Sequence, residues 1–341
     1  MRILIDKNSN VPLYKQIVSC VRKAECSNEA KPGEPMPSLN AVAAQFDISM
    51  ETVKKAYEIL KKENVIRGRQ GKGFFINERA QNAPKRIIMF VDKLSAYKLA
   101  ICKGLTDNMK SEFNLTIRVH NKDLALFDIM ISEAIGEYDY YIVAPHFDSC
   151  VSGARIVKSL KRLPYERMIL IDRDIPELKG NIGRIWQDFA GDACSALEKE
   201  IQKVGKYERV IVLDPGNSLY ASQMAPKIKA LLDKNGMDCR VCRGFQSEMM
   251  TPGTLFIVLG GQMDTDHYAV LSEVIKRGYT LGDSIGMITY NDEPVNEFIC
   301  GGLASLTTDF AAMGRHAAEM IESGTQANIH NEFSLIARAS F

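Results

Sequence analysis

PMPSLNAVAAQFDISMETVKKAYEILKKENVIRGRQGKGFFI, residues 35–76, decides how the chain begins to fold. Pro37-Ser38 opens a helix that Ser38 caps, with Leu39, Val42, Ala43 and Phe46 on one apolar face. Asp47-Ile48 makes a turn, and Ser49 caps a second helix running from Met50 to about Glu63. Val53, Ala56, Tyr57 and Leu60 recur at helical spacing and face the core. Glu51, Lys54, Lys55, Glu58, Lys61 and Lys62 occupy the opposite face. Two short helices around a tight turn, the second capped and basic near its start, is how a recognition helix enters the major groove of DNA. After it, Val65-Ile66 and Phe74-Phe75-Ile76 flank Arg67-Gly68-Arg69-Gln70-Gly71-Lys72-Gly73. This predicts a hairpin whose glycine-rich, cationic tip reaches phosphates or the minor groove.

The segment resembles the winged helix-turn-helix domain of GntR-type bacterial transcription regulators. The resemblance rests on Val11-Pro12-Leu13-Tyr14-Lys15-Gln16-Ile17, Pro32-Gly33, Met36-Pro37-Ser38, Ile48-Ser49, Thr52-Val53, Ala56, Leu60 and Gly71-Lys72-Gly73, in that order. It covers roughly the first 76 residues. It implies DNA contacts from Ser38, Asn40, Ser49, Met50, Glu51, Thr52, Lys54, Lys55, Arg69, Gly71 and Lys72. Two positions depart from the family pattern: Asn40 and Met50 stand where arginines that often read guanine are usual, while Lys54 keeps its basic position. The usual operator therefore does not carry over.

Length and charge set the frame for the remainder. The 341 residues suffice for about two domains. With 46% hydrophobic and 25% charged residues, the composition is that of an ordinary soluble protein. No apolar run approaches the ~18 residues that span a bilayer, and the start, MRILIDKNSN, lacks a signal-peptide core; a cytoplasmic protein is expected. The net charge of +1 is unevenly spread: residues 1–80 hold 14 Lys and Arg against 9 Asp and Glu, which leaves −4 for the rest. A basic first domain suits a polyanion at one end only. The eight cysteines are scattered, and Cys239-Arg240-Val241-Cys242 is a lone CxxC without a second ligand pair. It reads better as part of a strand. The five histidines form no HExxH, and nothing in the sequence requires a metal or cofactor.

An amphipathic helix from Val11 to about Ala24 completes the small domain, and the polar stretch 77–85 reads as a linker. From residue 86 strands and helices alternate. Strands are predicted at 86–91, 115–119, 140–143 and 168–171, with helices at 96–110, 124–136 and 151–160 between them. After Gly183 the rhythm restarts: helix 191–203, strand 209–213, helix 222–235, strand 254–259, helix 267–277, strand 286–290, helix 311–322 and a closing strand 334–339. Such alternation argues for parallel sheets covered by helices, and two βα series of similar size argue for two open sheets sharing a crevice.

This part resembles the LacI-type, ribose-binding-protein-like effector domain. The residues that carry it are Gly104-Leu105, Ile171-Asp172-Arg173, Asp188 with Gly191, Gly278-Tyr279, Ile288-Thr289-Tyr290-Asn291-Asp292-Glu293-Pro294, Leu303 to Gly314, and the ending Ile336-Ala337-Arg338-Ala339-Ser340. The resemblance implies that Arg173 grips sugar hydroxyls, with Asn291 standing where the first of two aspartates is usual, followed by Asp292. By position Ser95, Tyr97, Thr265, Asp266 and Thr308 are expected in the cleft. Guanidinium, amide and carboxylate groups give the planar hydrogen bonding that vicinal hydroxyls need. Tyr97 or Trp186 can stack on a sugar ring. The structural alternatives are an ion pair of Arg173 with Asp172 or Asp174, and a core position for Trp186.

A rival reading is an α/β-hydrolase-like esterase, because Gly282-Asp283-Ser284-Ile285-Gly286 fits GxSxG and Asp292 and His316 or His330 follow. The nucleophile elbow needs a strand, a turn bearing the serine, then a helix; here a helix precedes Ser284 and a strand follows it. No catalytic residue is therefore assigned. The expected architecture is an α+β winged helix domain over residues 1–76, a linker over 77–85, and an α/β two-lobed periplasmic-binding-protein-like domain over 86–341. The expected function is a ligand-responsive regulator, a homodimer that binds double-stranded operator DNA and a small-molecule effector, most readily a sugar or sugar derivative.

Overall fold

The computed structural model describes residues 3–7, 12–26, 29–77, 84–216, 218–261 and 263–341. Val11 and residues 78–83 of the expected linker lie outside the described residues. Helix α1 (Leu13–Cys26) packs against α3 (Met50–Lys62), which follows α2 (Leu39–Phe46). The caps form as the residue types dictate: Ser38 Oγ accepts from Ala41 N at 3.1 Å and Ser49 Oγ from Thr52 N at 3.1 Å. Asp47 ends α2 in the left-handed region at φ 48°, which turns the chain into α3. Ile17, Val21, Val42, Val53, Ala56 and Leu60 are wholly buried. Tyr57 joins them, its ring edge-on to Phe74 at 5.1 Å and its hydroxyl donating to Pro37 O at 2.8 Å. The wing is the antiparallel pair β1 (Ile66–Arg69) and β2 (Gly73–Ile76), in register Ile66 with Ile76. Gly71 and Gly73 take φ of 71° and 86° at its tip, a conformation that glycine adopts without strain.

Two six-stranded sheets follow. The first contains β3 (Lys85–Val91), β4 (Phe113–Val119), β5 (Tyr140–Val143), β6 (Met168–Asp172) and β7 (Gly183–Trp186), with α4 (Ala96–Asn108), α5 (Leu124–Ala134) and α6 (Gly153–Leu160) between them. The second is built from β8 (Arg209–Leu213), β9 (Cys239–Cys242), β10 (Thr254–Val258), β11 (Ile285–Tyr290) and β12 (Ala304–Thr308). Its helices are α7 (Phe189–Lys199), α8 (Ile201–Val204), α9 (Leu219–Lys234) and α10 (Thr265–Arg277). The chain then returns to the first lobe through α11 (Phe310–Ser323) and β13 (Asn328–His330), and ends in the second with β14 (Phe333–Ile336). The spatial orders are β13-β7-β6-β5-β3-β4 and β14-β12-β11-β10-β8-β9. All pairings are parallel except β12 with β14.

Several expected elements are corrected here. The series does not restart at Gly183, because β7 completes the first sheet beside β6. β7, β12 and β13, absent from the periodicity reading, have the mixed sequences GRIW, ASLTT and NIH, without the apolar run that marks β5, β6, β8 and β10. The single helix expected over 191–203 breaks at Glu200 into α7 and α8. The closing strand stops at Ile336. Cys239–Cys242 is the edge strand β9, as its reading suggested.

Three crossings join the lobes: Gln187-Asp188, Asp309 and Asn331-Glu332. They are stitched to one another, with Asn331 N donating to Trp186 O at 2.7 Å and Asp309 N to Glu332 O at 3.0 Å. Three adjacent connections between two lobes are the usual form of a hinge. In the first lobe, α4 and α11 cross at backbone distance. A methyl at Gly104 would strike the carbonyl of Ala311, and one at Gly314 that of Ile101.

Candidate functional site

The strands of both sheets point their C-terminal ends at a common crevice, where open α/β sheets bind ligands. A cavity of about 540 Å³ lies there. Asp92 follows β3, His146 lies beyond β5, Asp172 ends β6 and Gln187 follows β7; all four line the first-lobe side. Ser218, Tyr220, Gly261, Asp264, Tyr290 and Asn291 come from the second lobe. Asp172 and Asn291 hold equivalent places at the ends of β6 and β11, both left-handed, at φ 72° and 66°. Asp and Asn tolerate that region better than other side chains, and such strain collects at binding sites.

A buried polar chain runs across the first lobe and out to the second. Lys98, on α4, is wholly inaccessible, and its Nζ donates to Asp172 Oδ2 at 2.8 Å. His146 Nε2 lies 2.8 Å from the same oxygen, and Gln187 Nε2 donates to Asp172 Oδ1 at 2.6 Å. An ionised carboxylate only accepts, so His146 carries its proton on Nε2, which leaves Nδ1 to accept from the hydroxyl of Tyr220. Tyr220 belongs to the second lobe, so this last bond joins the two. Burial alone would push the Asp172 carboxyl up, but the Lys98 charge and then His146 hold it far below the usual range. Burial and then Lys98 lower the pKa of His146, in keeping with a neutral ring.

A second histidine behaves likewise. His120 is fully buried, stacked on Phe147 at 4.7 Å, and burial lowers its pKa to about 4. The unfolded chain takes up these protons near the ordinary histidine pKa of about 6.5. Both histidines therefore stabilise the fold fully above about pH 6.5, and the contribution is lost as pH falls toward the folded values. The expected loss is up to about 1.4 kcal/mol per pH unit for each group. Urea titrations between pH 7.5 and 5 should show it, and His120→Phe should flatten the curve. An equally steep curve in that variant would exclude His120 as a source.

The sequence-derived cleft residues separate in space. Tyr97 and Asn291 line the cavity, and Asn291 Nδ2 donates to Gly261 O at 3.2 Å. Ser95, the N-cap of α4, is buried and outside the lining. Arg173 is half-buried and donates to Pro145 O at 3.3 Å, outside the lining. Trp186 lies parallel on His330 at 4.4 Å and donates to Asn328 Oδ1 at 2.8 Å, beside the hinge. Thr308 also sits at the hinge, bonded to Glu332 O at 2.7 Å and Asn331 Nδ2 at 2.8 Å. Asp292 forms a two-pronged ion pair with Arg338, at 2.7 Å to each oxygen. Asp266 accepts from Phe245 N at 2.9 Å, Thr265 begins α10 in solvent, and their neighbour Asp264 faces the cavity. Sequence reading missed Asp92, Lys98, His146, Gln187 and Tyr220 as site residues. For Asp92, His146 and Gln187 the available signal was position, as polar residues just beyond apolar strands; Lys98 and Tyr220 lie on α4 and α9 and carried no such signal.

In the winged domain, Ser38, Asn40, Ser49, Met50, Glu51, Lys54, Lys55, Arg69, Gly71 and Lys72 are exposed, with Thr52 half-buried. Lys55 Nζ lies 4.1 Å from the Tyr14 ring centre, and Arg69 packs over Phe75 at 4.9 Å. Ser284 sits in the turn before β11, not after a strand. Its flanking glycines have packing reasons: Gly282 lies against the Ala339 carbonyl and Gly286 against the Tyr207 ring. His316 pairs with Glu319 and His330 with Asp192. The strand–turn–helix context of a nucleophile elbow is absent at Ser284.

Residues 13–76 match the family described as bacterial regulatory proteins, gntR family. HTH-type transcriptional repressor YtrA of Bacillus subtilis is 34% identical over 79 residues, which is 23% of this chain and 61% of YtrA, so less than two thirds of that relative is spanned. Among solved structures, the Escherichia coli transcriptional repressor ascG superposes with a TM-score of 0.59 at 13% identity, over 75% of this chain and 99% of ascG. A lac repressor dimer bound to operator and the anti-inducer ONPF gives 0.58 at 13% identity, over 76% and 95%. No helix among the described residues is long and apolar enough to cross a membrane. The chain thus joins a gntR-family helix-turn-helix domain at its N-terminus to a two-sheet parallel α/β domain with the fold of LacI-type effector domains.

Proposed function

We propose that this protein is a ligand-responsive transcription regulator of the cytoplasm. It acts as a homodimer that binds operator DNA through α3 and the wing, and a sugar or sugar derivative in the interlobe cleft. The observation that carries the reading is the pairing of an exposed, capped recognition helix with a hinged cleft whose walls come from two lobes. Ligand that touches both lobes favours the closed form, and a coupling of about 1–3 kcal/mol suffices to change operator affinity. The lac repressor solved with operator and anti-inducer supports this by likeness of fold. A gel shift with selected duplexes, run with and without a bound sugar, tests it; operator affinity indifferent to every ligand of the cleft would refute the coupling.

Two expectations concern DNA. Lys54→Ala and Lys72→Ala should both weaken operator binding, and Lys72→Ala should do so almost independently of sequence. If Lys72 meets only phosphate, its loss lowers the salt slope by about one unit. Unchanged affinity in both variants would remove α3 and the wing from the interface. Asn40 hydrogen-bonds adenine and Met50 offers only apolar contact, for example to a thymine methyl. Selection from random duplexes should therefore return half-sites richer in A and T than is usual for GntR-type domains; guanine-dominated half-sites would contradict it.

A further inference from the structure

The floor of the cleft has an uneven supply of hydrogen-bonding groups. Asp92 is 4% exposed, and its Oδ1 is buried without a partner. Gln187 is equally buried; its Nε2 is committed to Asp172, which turns Oε1 away from that carboxylate and leaves it unpartnered. Tyr290, from the opposite lobe, has a buried hydroxyl that is also unpartnered. All three residues line the cavity. Asp92 Oδ1 and Gln187 Oε1 can only accept, whereas the Tyr290 hydroxyl can do either; an unmet buried acceptor costs about 1–3 kcal/mol, so the two first-lobe oxygens call for a molecule that donates.

The charge at the floor points the same way. Lys98 is committed to Asp172, and His146 is neutral. Asp92 is thus a carboxylate with no cation of the floor left to balance it. Of the two arginines near β6, Arg184 is held by Asp174 and the carbonyls of Ile175 and Leu178, and Arg173 donates to Pro145 O outside the cavity lining. A ligand carboxylate or phosphate placed there would meet Asp92 in a water-poor site, where like charges repel strongly. Lys93 and Lys122 also line the cavity, but both are exposed at its rim. Ion pairs in such positions contribute little. One wall is aromatic, with the Tyr97 and Phe310 rings 4.8 Å apart, which suits the apolar face of a ring.

We infer that the cleft selects a hydroxyl-rich ring without negative charge, which donates hydrogen bonds to Asp92 and Gln187 and turns sugar acids and sugar phosphates away. The inference rests on the effector-cleft reading above and narrows it. Neutral sugars and amino sugars share the required chemistry. Asp92 meets a hydroxyl in the first case and an ammonium in the second.

Calorimetry on the full chain with four sets of probes tests it: neutral pentoses and hexoses, hexosamines, hexuronates, and hexose phosphates. Binding is expected only in the first two sets. Asp92→Asn keeps the shape and removes the charge. It should weaken a neutral binder about tenfold and a hexosamine by more, so the ratio of the two losses identifies Asp92's partner. The same variant should admit hexuronates better than the parent does. Its melting temperature and ligand-free operator binding should match the parent's, which separates lost recognition from lost folding. Tighter binding of a hexuronate or hexose phosphate by the parent would overturn the charge selection while leaving the effector cleft intact. Binding by none of the four sets would overturn both.

Discussion

Asp172→Ala should destabilise the α/β domain by about 3–5 kcal/mol, the usual consequence of leaving one member of a buried ion pair alone. Lys98 is wholly inaccessible, and its Nζ donates to Asp172. Without the carboxylate, the ammonium must shed its proton or drag α4 toward water. His146 and Gln187 lose their acceptor at the same time. The attraction itself is not the source of the loss, because the desolvation of both ions offsets most of it. A double variant, Lys98→Met with Asp172→Asn, should therefore recover most of the stability that the single one loses. Urea unfolding followed by far-ultraviolet circular dichroism gives both numbers. An Asp172→Ala midpoint equal to the parent's would mean that Lys98 reaches solvent.

Gly314→Ala should be nearly as damaging, although it adds one methyl to a helix and alanine is the better helix former. The methyl would enter the carbonyl of Ile101 and the backbone of Gly104 and Leu105 across the α4–α11 crossing. Backbone cannot swing aside as a side chain does, so the helices must separate. Overpacking of this kind costs about 1–3 kcal/mol, and the reciprocal contact of Gly104 with Ala311 places it toward the upper end. Because α11 leads into β13 and the hinge, the same change should weaken ligand closure as well as stability. Melting temperature reads the first effect. An Ala variant as stable as the parent would show the helices to be further apart than described.

Local information explains what was legible. The gntR-family match spans residues 13–76, and the caps, turn and wing in it are each decided by neighbours a few positions apart. Ser38, Ser49 and Asp47 do in the fold what their residue types do in any chain. The long strands β3 and β11 were equally plain, because parallel strands covered on both faces read as unbroken apolar runs. The sequences GRIW and NIH carry no such run, and β7 and β13 become strands through their neighbours, β7 beside β6 and β13 beside β7.

The cleft shows the boundary most clearly. Sequence alone placed it at the C-terminal ends of strands and singled out the neighbourhoods of residues 171–173 and 290–292. Which member of each neighbourhood faces the cavity was decided by the backbone. Successive side chains at a strand end point opposite ways. Asp172 and Asn291 turn inward in left-handed conformations, while Arg173 reaches Pro145 and Asp292 binds Arg338. The chain Lys98–Asp172–His146–Tyr220 spans 122 positions in sequence. No periodicity or motif links such residues; only the paths of β5, β6, α4 and α9 bring them within hydrogen-bonding distance. The sequence by itself determined the two domain types and which strand ends form the crevice, because those depend on local pattern. The tertiary structure alone decided which charges are already neutralised there, because that depends on contacts between distant segments.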